Sequence, residues 1–173
     1  MKSLLFLGLL ASAAFAGEEE VTHRVKGLFA PEREGDLRAA LEKIPGVTLV
    51  LLDFNYAEAV FRYNPAIAFP GTKPDKIIER FDSALRSATH STLGIGPGDP
   101  MPKSQLTRLE IPVAGLDCQA CAFAVYQIVA KIEGVAAATV DFKTGLITAQ
   151  IDPAKTTQSA LEEALKKRNV ALR

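Results

Sequence analysis

The chain alternates apolar and polar residues through VTHRV (21–25) and again through RLEIPV (108–113), the period of half-buried strands. A helical period follows each. Leu37, Ala40, Leu41 and Ile44 form one i, i+3, i+4, i+7 stripe, and Val125, Ile128, Val129 and Ile132 form another. Pro45-Gly46 and Glu133-Gly134 supply a left-handed stop after each stripe. Two short strands then pair as a hairpin. TLVLLDF (48–54) and EAVFRY (58–63) flank Asn55-Tyr56-Ala57, while AATVDF (137–142) and LITAQI (146–151) flank Lys143-Thr144-Gly145. A second helix is expected after each hairpin. Pro74 opens PDKIIERFDSALRSA, where its missing N–H is harmless, and Thr156 is the expected N-cap of TQSALEEALKKR. STLGI (91–95) and VALR (170–173) read as closing strands. Each half is therefore βαββαβ. The predicted class is α+β, with two ferredoxin-like sandwiches in tandem, each an antiparallel sheet carrying two helices on one face.

The two halves also share residues at an offset of 88: Gly27-Leu28 with Gly115-Leu116, Lys43-Ile44 with Lys131-Ile132, Gly46-Val47 with Gly134-Val135, Asp53-Phe54 with Asp141-Phe142, and Pro65 with Pro153. Such self-similarity in one register argues for an internal duplication. The domains then run over 17–95 and 106–173, joined by a linker rich in Pro and Gly at 96–105. The first copy carries an extra loop, AIAFPGTK, before its second helix. A length of 173 residues accommodates two compact domains of about 70 residues each.

Residues 1–16, MKSLLFLGLLASAAFA, stand apart from this pattern. Lys2, the apolar run Leu4 to Leu10 and the small-residue site Ala14-Phe15-Ala16 read as a signal peptide, too short to span a bilayer. The remaining chain is expected to be exported, periplasmic or secreted. Twenty basic residues balance twenty acidic ones, so no basic field exists to hold nucleic acid or an anionic membrane. Export matters for Cys118 and Cys121, the two cysteines of the chain. A bridge across two intervening residues closes a small loop and removes little unfolded-state entropy. The pair is better read as chemical, for metal or redox.

GLDCQAC (115–121) falls between the first strand and first helix of the second copy. Cys118 then lies in the loop and Cys121 in the first helical turn, where free N–H groups and the helix dipole favour thiolate. Two thiolates with few other donors suit a soft, low-coordinate ion such as Cu(I) or Hg(II), whereas Zn(II) prefers four ligands. The frame resembles the heavy-metal-associated domain family, whose pattern is glycine, methionine, any residue, cysteine, two residues, cysteine, and a helix ending at glycine-valine. Here the pattern reads Gly115, Leu116, Asp117, Cys118, Cys121 and Gly134-Val135. The resemblance implies Cys118 and Cys121 as metal ligands and transfer by thiolate exchange with a donor or acceptor, such as a transporter or an ATPase metal-binding domain. It implies Cu(I) first, with Hg(II), Zn(II) or Cd(II) as other cargoes. Leu116 replaces the family's methionine as a buried prop, and Asp117 is expected to be exposed. Asn169-Val170 stands where the family often has glycine and an aromatic or lysine, so the lid over the metal is expected to be absent.

The first copy has Ala30 and Arg33 at the cysteine positions and cannot bind a soft ion this way. Arg33 is expected to be a solvated surface charge, with occupation of the would-be site as the alternative. His90 lies on the same end without partners for a metal site, and His23, in register with Ile111, is expected to be half-buried. Phe123, Tyr126 and Ala130 fall on the helix face opposite the apolar stripe. Two roles stand open for them: covering the first copy, or docking a metal donor or acceptor. The leading function is a non-enzymatic metal carrier. Its rivals are a thiol-disulfide oxidoreductase using the C-x-x-C and an interaction module with an oxidised pair. The aromatic and Gly-Pro setting of the usual redox motif is missing.

Overall fold

The computed structural model describes residues 17–98 and 101–173; the expected signal peptide at 1–16 lies outside the described residues. The fold is α+β. In the N-terminal half, β1 (Glu19–Lys26), α1 (Arg33–Leu41), β2 (Val47–Asp53), β3 (Glu58–Tyr63), the one-turn α2 (Pro65–Ala68), α3 (Ile77–Ala88) and β4 (Gly94–Pro97) follow in chain order. Its four strands form an antiparallel sheet ordered β2-β3-β1-β4. In the C-terminal half, β5 (Thr107–Pro112), α4 (Gln119–Val129), β6 (Val135–Asp141), β7 (Leu146–Ile151) and α5 (Gln158–Lys166) build a second antiparallel sheet, ordered β5-β7-β6.

Local departures from the sequence reading have identifiable causes. The closing strand at 170–173 shrinks to one bridge, Val113 with Leu172. Its neighbour β5 ends at Pro112, which has no N–H to extend a ladder. The chain end is held instead by Ala114 N–H to Ala171 O (2.8 Å) and Arg173 N–H to Pro112 O (3.0 Å). Helix α5 is capped by Thr157, not Thr156, because a turn closed by Asp152 consumes Thr156, whose N–H donates to Asp152 O at 3.1 Å. Part of the extra loop is helical: the Asn64 side chain accepts the Ala66 N–H at 3.0 Å and caps α2. Strand β4 reaches Pro97, inside the stretch expected to be linker. Past it, Lys103 is tied to Asp53 (2.7 Å) and Glu58 (3.0 Å) of the first sheet.

Each sheet has an apolar core under its helices. In the first, Leu37 and Leu41 of α1 and Phe81 and Leu85 of α3 cover Val25, Phe61 and Ile95. His23 is fully buried there, more than expected, because β1 is an inner strand whose inward face lies against Phe81. Its Nε2 is 3.0 Å from the Tyr63 hydroxyl. In the second, Val125 and Val129 of α4 and Leu161 and Leu165 of α5 cover Ile111, Ile147 and Ile151. Phe29 and Ala30, from the turn after β1, are buried members of this second core.

That crossing joins the halves. The Phe29 ring lies 5.3 Å from Phe123 and 5.7 Å from Tyr126, centroid to centroid. The Val140 N–H of edge strand β6 donates to Phe29 O at 2.8 Å. Gly27 N–H donates to the Tyr126 hydroxyl at 2.7 Å, and Arg24 Nη2 donates to Val135 O at 2.7 Å. Gly27 is required for this turn: its φ is +86°, and a Cβ there would meet the Thr92 carbonyl oxygen at 2.0 Å. Strand β6 is correspondingly buried on both faces from Val135 to Ala138, and its three alanines let the other half approach closely. Docking of a metal donor or acceptor through Phe123 and Tyr126 is thereby corrected. Tyr126 is buried and Phe123 half-buried against Phe29, because both rings cover the first half of this same chain.

Two outcomes follow for stability. Phe29→Ala removes a buried ring shared by both halves and should destabilise the chain by about 3–5 kcal/mol in urea unfolding, whereas a change below about 1 kcal/mol would show that the ring carries no packing load. Burial pushes the His23 imidazole below its ordinary value, opposed in part by the Gly96 backbone. The unfolded chain then takes up this proton where the folded chain does not. Stability should be full above about pH 6.5 and fall as pH drops through that value toward the lower folded pKa. His23→Gln should flatten the decline in urea midpoint between about pH 7.5 and 5.5, and an unchanged slope would assign it to other groups.

Candidate metal centre

Gly115, at φ +75°, turns the chain out of β5, and Leu116 behind it is buried, anchoring the loop to the second core. Asp117 is exposed, as expected. Cys118 is the N-cap of α4: its backbone is extended, and its Sγ accepts the Cys121 N–H at 3.2 Å, a capping role more often filled by an oxygen. The Ala122 N–H then donates to Cys118 O at 3.0 Å, the first helical bond. One turn of helix thus brings the two free thiols together, with their sulfurs 2.6 Å apart. Cys118 is exposed and Cys121 half-buried.

The two thiols are not equivalent. The hydrogen bond from the Cys121 thiol, helped by the Cys121 backbone N–H, holds Cys118 below the usual thiol range. The neighbouring Cys118 sulfur, with some desolvation, pushes Cys121 up. Cys118 is therefore the first thiolate. Behind Cys121 lies a shallow hollow lined by Leu116, Val125, Asn169 and Val170, with no charged side chain on it. Asn169 adopts φ +59°, the left-handed conformation that glycine or asparagine tolerates at a helix end. Val170 lines the same hollow as Cys121. Among the described residues, no group of three His, Cys, Asp or Glu side chains stands where it could hold a metal ion. The donor set is two sulfurs, which fits a soft, low-coordinate ion and leaves a four-coordinate zinc site incomplete.

The sequence profile described as the heavy-metal-associated domain matches residues 110–169, which contain this loop and the two helices beneath it. Residues 110–169 belong to the heavy-metal-associated domain family. Human copper-transporting ATPase 2 is 23% identical over 177 residues, an alignment covering 87% of this chain but 12% of the ATPase, so the chain spans a small part of that relative's length. A solved structure of oxidised MerP from Ralstonia metallidurans CH34 is 28% identical, covering 39% of this chain and 94% of that one, with a TM-score of 0.38. The Cu(I)-loaded N-terminal domain of a potential copper-translocating P-type ATPase from Bacillus subtilis is 34% identical over 39% of this chain and 85% of that one, with a TM-score of 0.37.

The loop at 27–33 sits outside the matched domain and makes different contacts. Ala30, offset by 88 from Cys118, is buried in the core of the heavy-metal-associated domain. Arg33, offset likewise from Cys121, is held at the equivalent turn and is not the solvated charge expected. Its Nη2 donates to Thr92 Oγ1 at 2.8 Å and its Nε to Gly27 O at 3.3 Å, Nη1 pairs with Asp36, and the guanidinium stacks 5.7 Å over the Phe29 ring. Its side chain is only 16% exposed. His90 remains exposed and joins no ligand cluster among the described residues. The role of Phe29 escaped the sequence reading, yet two signals were present. Phe29 aligns with exposed Asp117, where an aromatic is out of place, and the small residues Ala136 to Ala138 leave room beside β6.

The asymmetry of the thiols has a direct readout. At neutral pH, limiting iodoacetamide should label Cys118 well ahead of Cys121, as resolved by peptide mass spectrometry. Equal labelling, or Cys121 first, would contradict this asymmetry between the two thiols.

Proposed function

We propose that this chain is an exported, non-enzymatic carrier of a soft metal ion, Cu(I) first. Its heavy-metal-associated domain takes the ion between Cys118 and Cys121 and passes it on by thiolate exchange. The observation that carries the reading is the convergence of two thiols on an exposed helix N-terminus, with no third His, Cys, Asp or Glu ligand grouped with them among the described residues. A two-sulfur site of this kind matches Cu(I) and Hg(II) in softness and low coordination number. The name of the human relative, a copper-transporting ATPase, supports copper over the alternatives.

The chemistry of loading follows from the sulfurs. With metal–sulfur bonds of about 2.3 Å, sulfurs 2.6 Å apart would pinch the angle at the ion to about 70°, so they must first separate. The Cys118 side chain is exposed and can rotate outward; Cys121 sits against the apolar hollow and holds its place. Cys118 thiolate captures the ion, Cys121 gives up its proton on joining, and exchange to an acceptor replaces one sulfur of this chain at a time. Thiolate replaces thiolate, so no net charge is created at the site.

The N-terminal half is proposed as a degenerate copy of the same domain, supported by the shared residues at offset 88 and by an alignment to the ATPase that runs across 87% of the chain. With the Phe123 and Tyr126 face covered, a donor or acceptor protein must approach over Asp117 to Ala120, which are exposed. Export rests on the signal-peptide pattern of residues 1–16; no helix among the described residues is long and apolar enough to cross a membrane.

Titration of the reduced chain with Cu(I) against a competing chelator tests the site. One ion per chain should bind, and Cys118→Ser or Cys121→Ser should each weaken binding at least about a hundredfold. Binding that survives both substitutions would overturn the assignment, and weak binding joined to rapid dithiol exchange would favour an oxidoreductase instead.

A further inference from the structure

A cleft of about 260 Å³ lies between the two halves, away from the thiols. Its floor is the small-residue run of β6, and its walls come from β1, β4 and α4. Arg24, Lys26 and Lys131 line it, and none of the three forms an ion pair among the described residues. Arg86 also reaches the cleft, but Asp82 neutralises it at 2.7 Å. No Asp or Glu lines the cleft among the described residues. Glu58, opposite Arg24 in the β1–β3 register, is held instead by Lys103 at 3.0 Å.

The polar groups that remain are donors. Arg24 spends Nη2 on the Val135 carbonyl, leaving the rest of its planar fork unclaimed in a half-buried setting. The Tyr126 hydroxyl accepts the Gly27 N–H, and no described residue accepts its own proton. Burial pushes that phenol up, so it stays protonated and able to donate. Three unpaired cations and a free hydroxyl converge on one hollow. A half-buried charge without a partner is unfavourable, and an anion entering the cleft would relieve it with charge-assisted hydrogen bonds.

We infer that this cleft is a binding site for a phosphate-type dianion, free or carried on a small organic molecule. A single carboxylate would leave two of the three cations uncompensated, whereas a dianion leaves one and offers enough oxygens for the guanidinium, the ammonium groups and the hydroxyl together. The hollow is small for a drug-sized ligand, whose pockets run from about 300 Å³ upward, and suits a phosphate group with a compact substituent. The site shares no residue with the thiol loop, so it stands or falls independently of metal carriage. An anion there would bridge β1 of one half and α4 of the other, tightening the junction that Phe29 makes.

Calorimetric titration of the reduced full chain with inorganic phosphate and with phenyl phosphate, at ionic strength held constant with chloride, tests the proposal. Saturable one-site binding is expected, and the double variant Lys26→Gln/Lys131→Gln should weaken it at least about tenfold. Both lysines are exposed and make no hydrogen bond or ion pair that the fold relies on, so the variant should fold and keep its Cu(I) affinity. Tyr126→Phe, which keeps the ring packing, should weaken phosphate binding by a smaller factor. Tighter binding of phenyl phosphate supports an organic carrier, and equal binding supports free phosphate as the ligand. Heats that chloride alone reproduces, or equal affinity in the double variant, would show that the cleft is merely a screened basic surface and would overturn the inference.

Discussion

The arrangement depends on Phe29. This ring leaves its own sheet at a turn, enters the core of the neighbouring one, and stacks against Phe123 and Tyr126 of α4. Apolar burial drives the contact, but hydrogen bonds fix its register. Gly27 N–H reaches the Tyr126 hydroxyl, and the Phe29 carbonyl pairs with Val140 on the open edge of β6. An unpaired strand edge invites association with other chains. Here the first half of the molecule occupies part of that edge itself. The two halves behave as one packed unit as far as α4 and β6 are concerned, because neither element can be exposed without opening buried aromatic surface.

That constraint decides what the thiol loop can do. Helix α4 buries Val125 and Val129 toward its own sheet and Tyr126 toward the other half, so two of its sides are committed. Its N-terminus is free of both contacts, and Cys118 sits there with its sulfur in solvent. The doubly packed helix holds Cys121 and its N–H in place and leaves the capping thiol of Cys118 accessible. Leu116, buried beneath the loop, does the same for the backbone on the other side.

Much of this was readable in the residues. The strand and helix periods placed nearly every element, because each buries one face and shows the alternation or stripe that burial demands. The site was legible for a similar reason: two cysteines in one helical turn after a glycine turn can hardly avoid meeting. The contact between the halves was harder to read. Phe123 and Tyr126 declared themselves as apolar on the wrong face, but their partner lay about a hundred residues earlier in a loop, and periodicity carries no information about such pairings. The closing strand failed for a local reason, the proline at position 112, whose effect on a ladder depends on which strand it faces. Arg33 was misjudged because an arginine in a turn is usually solvated. Its ordering comes from Thr92, Asp36 and the Phe29 ring, which meet only in the folded chain.

Arg33 also shows how the turn at 27–33 is held without thiols. The N-cap of α1, Glu32, makes no capping hydrogen bond through its side chain, so the first N–H groups of the helix have no side-chain cap. The Arg33 guanidinium at this turn gains hydrogen bonds to Thr92 and Gly27, but it places a permanent positive charge near the positive end of a helix dipole, which is unfavourable. Asp36 and Glu34, in the first turn of α1, offset this from the other side. With the charge balanced, the turn no longer needs access to solvent, and Phe29 beside it is free to serve as a hydrophobic anchor. A turn without thiols has no need of access to solvent, and its burial lets Phe29 hold the two halves together.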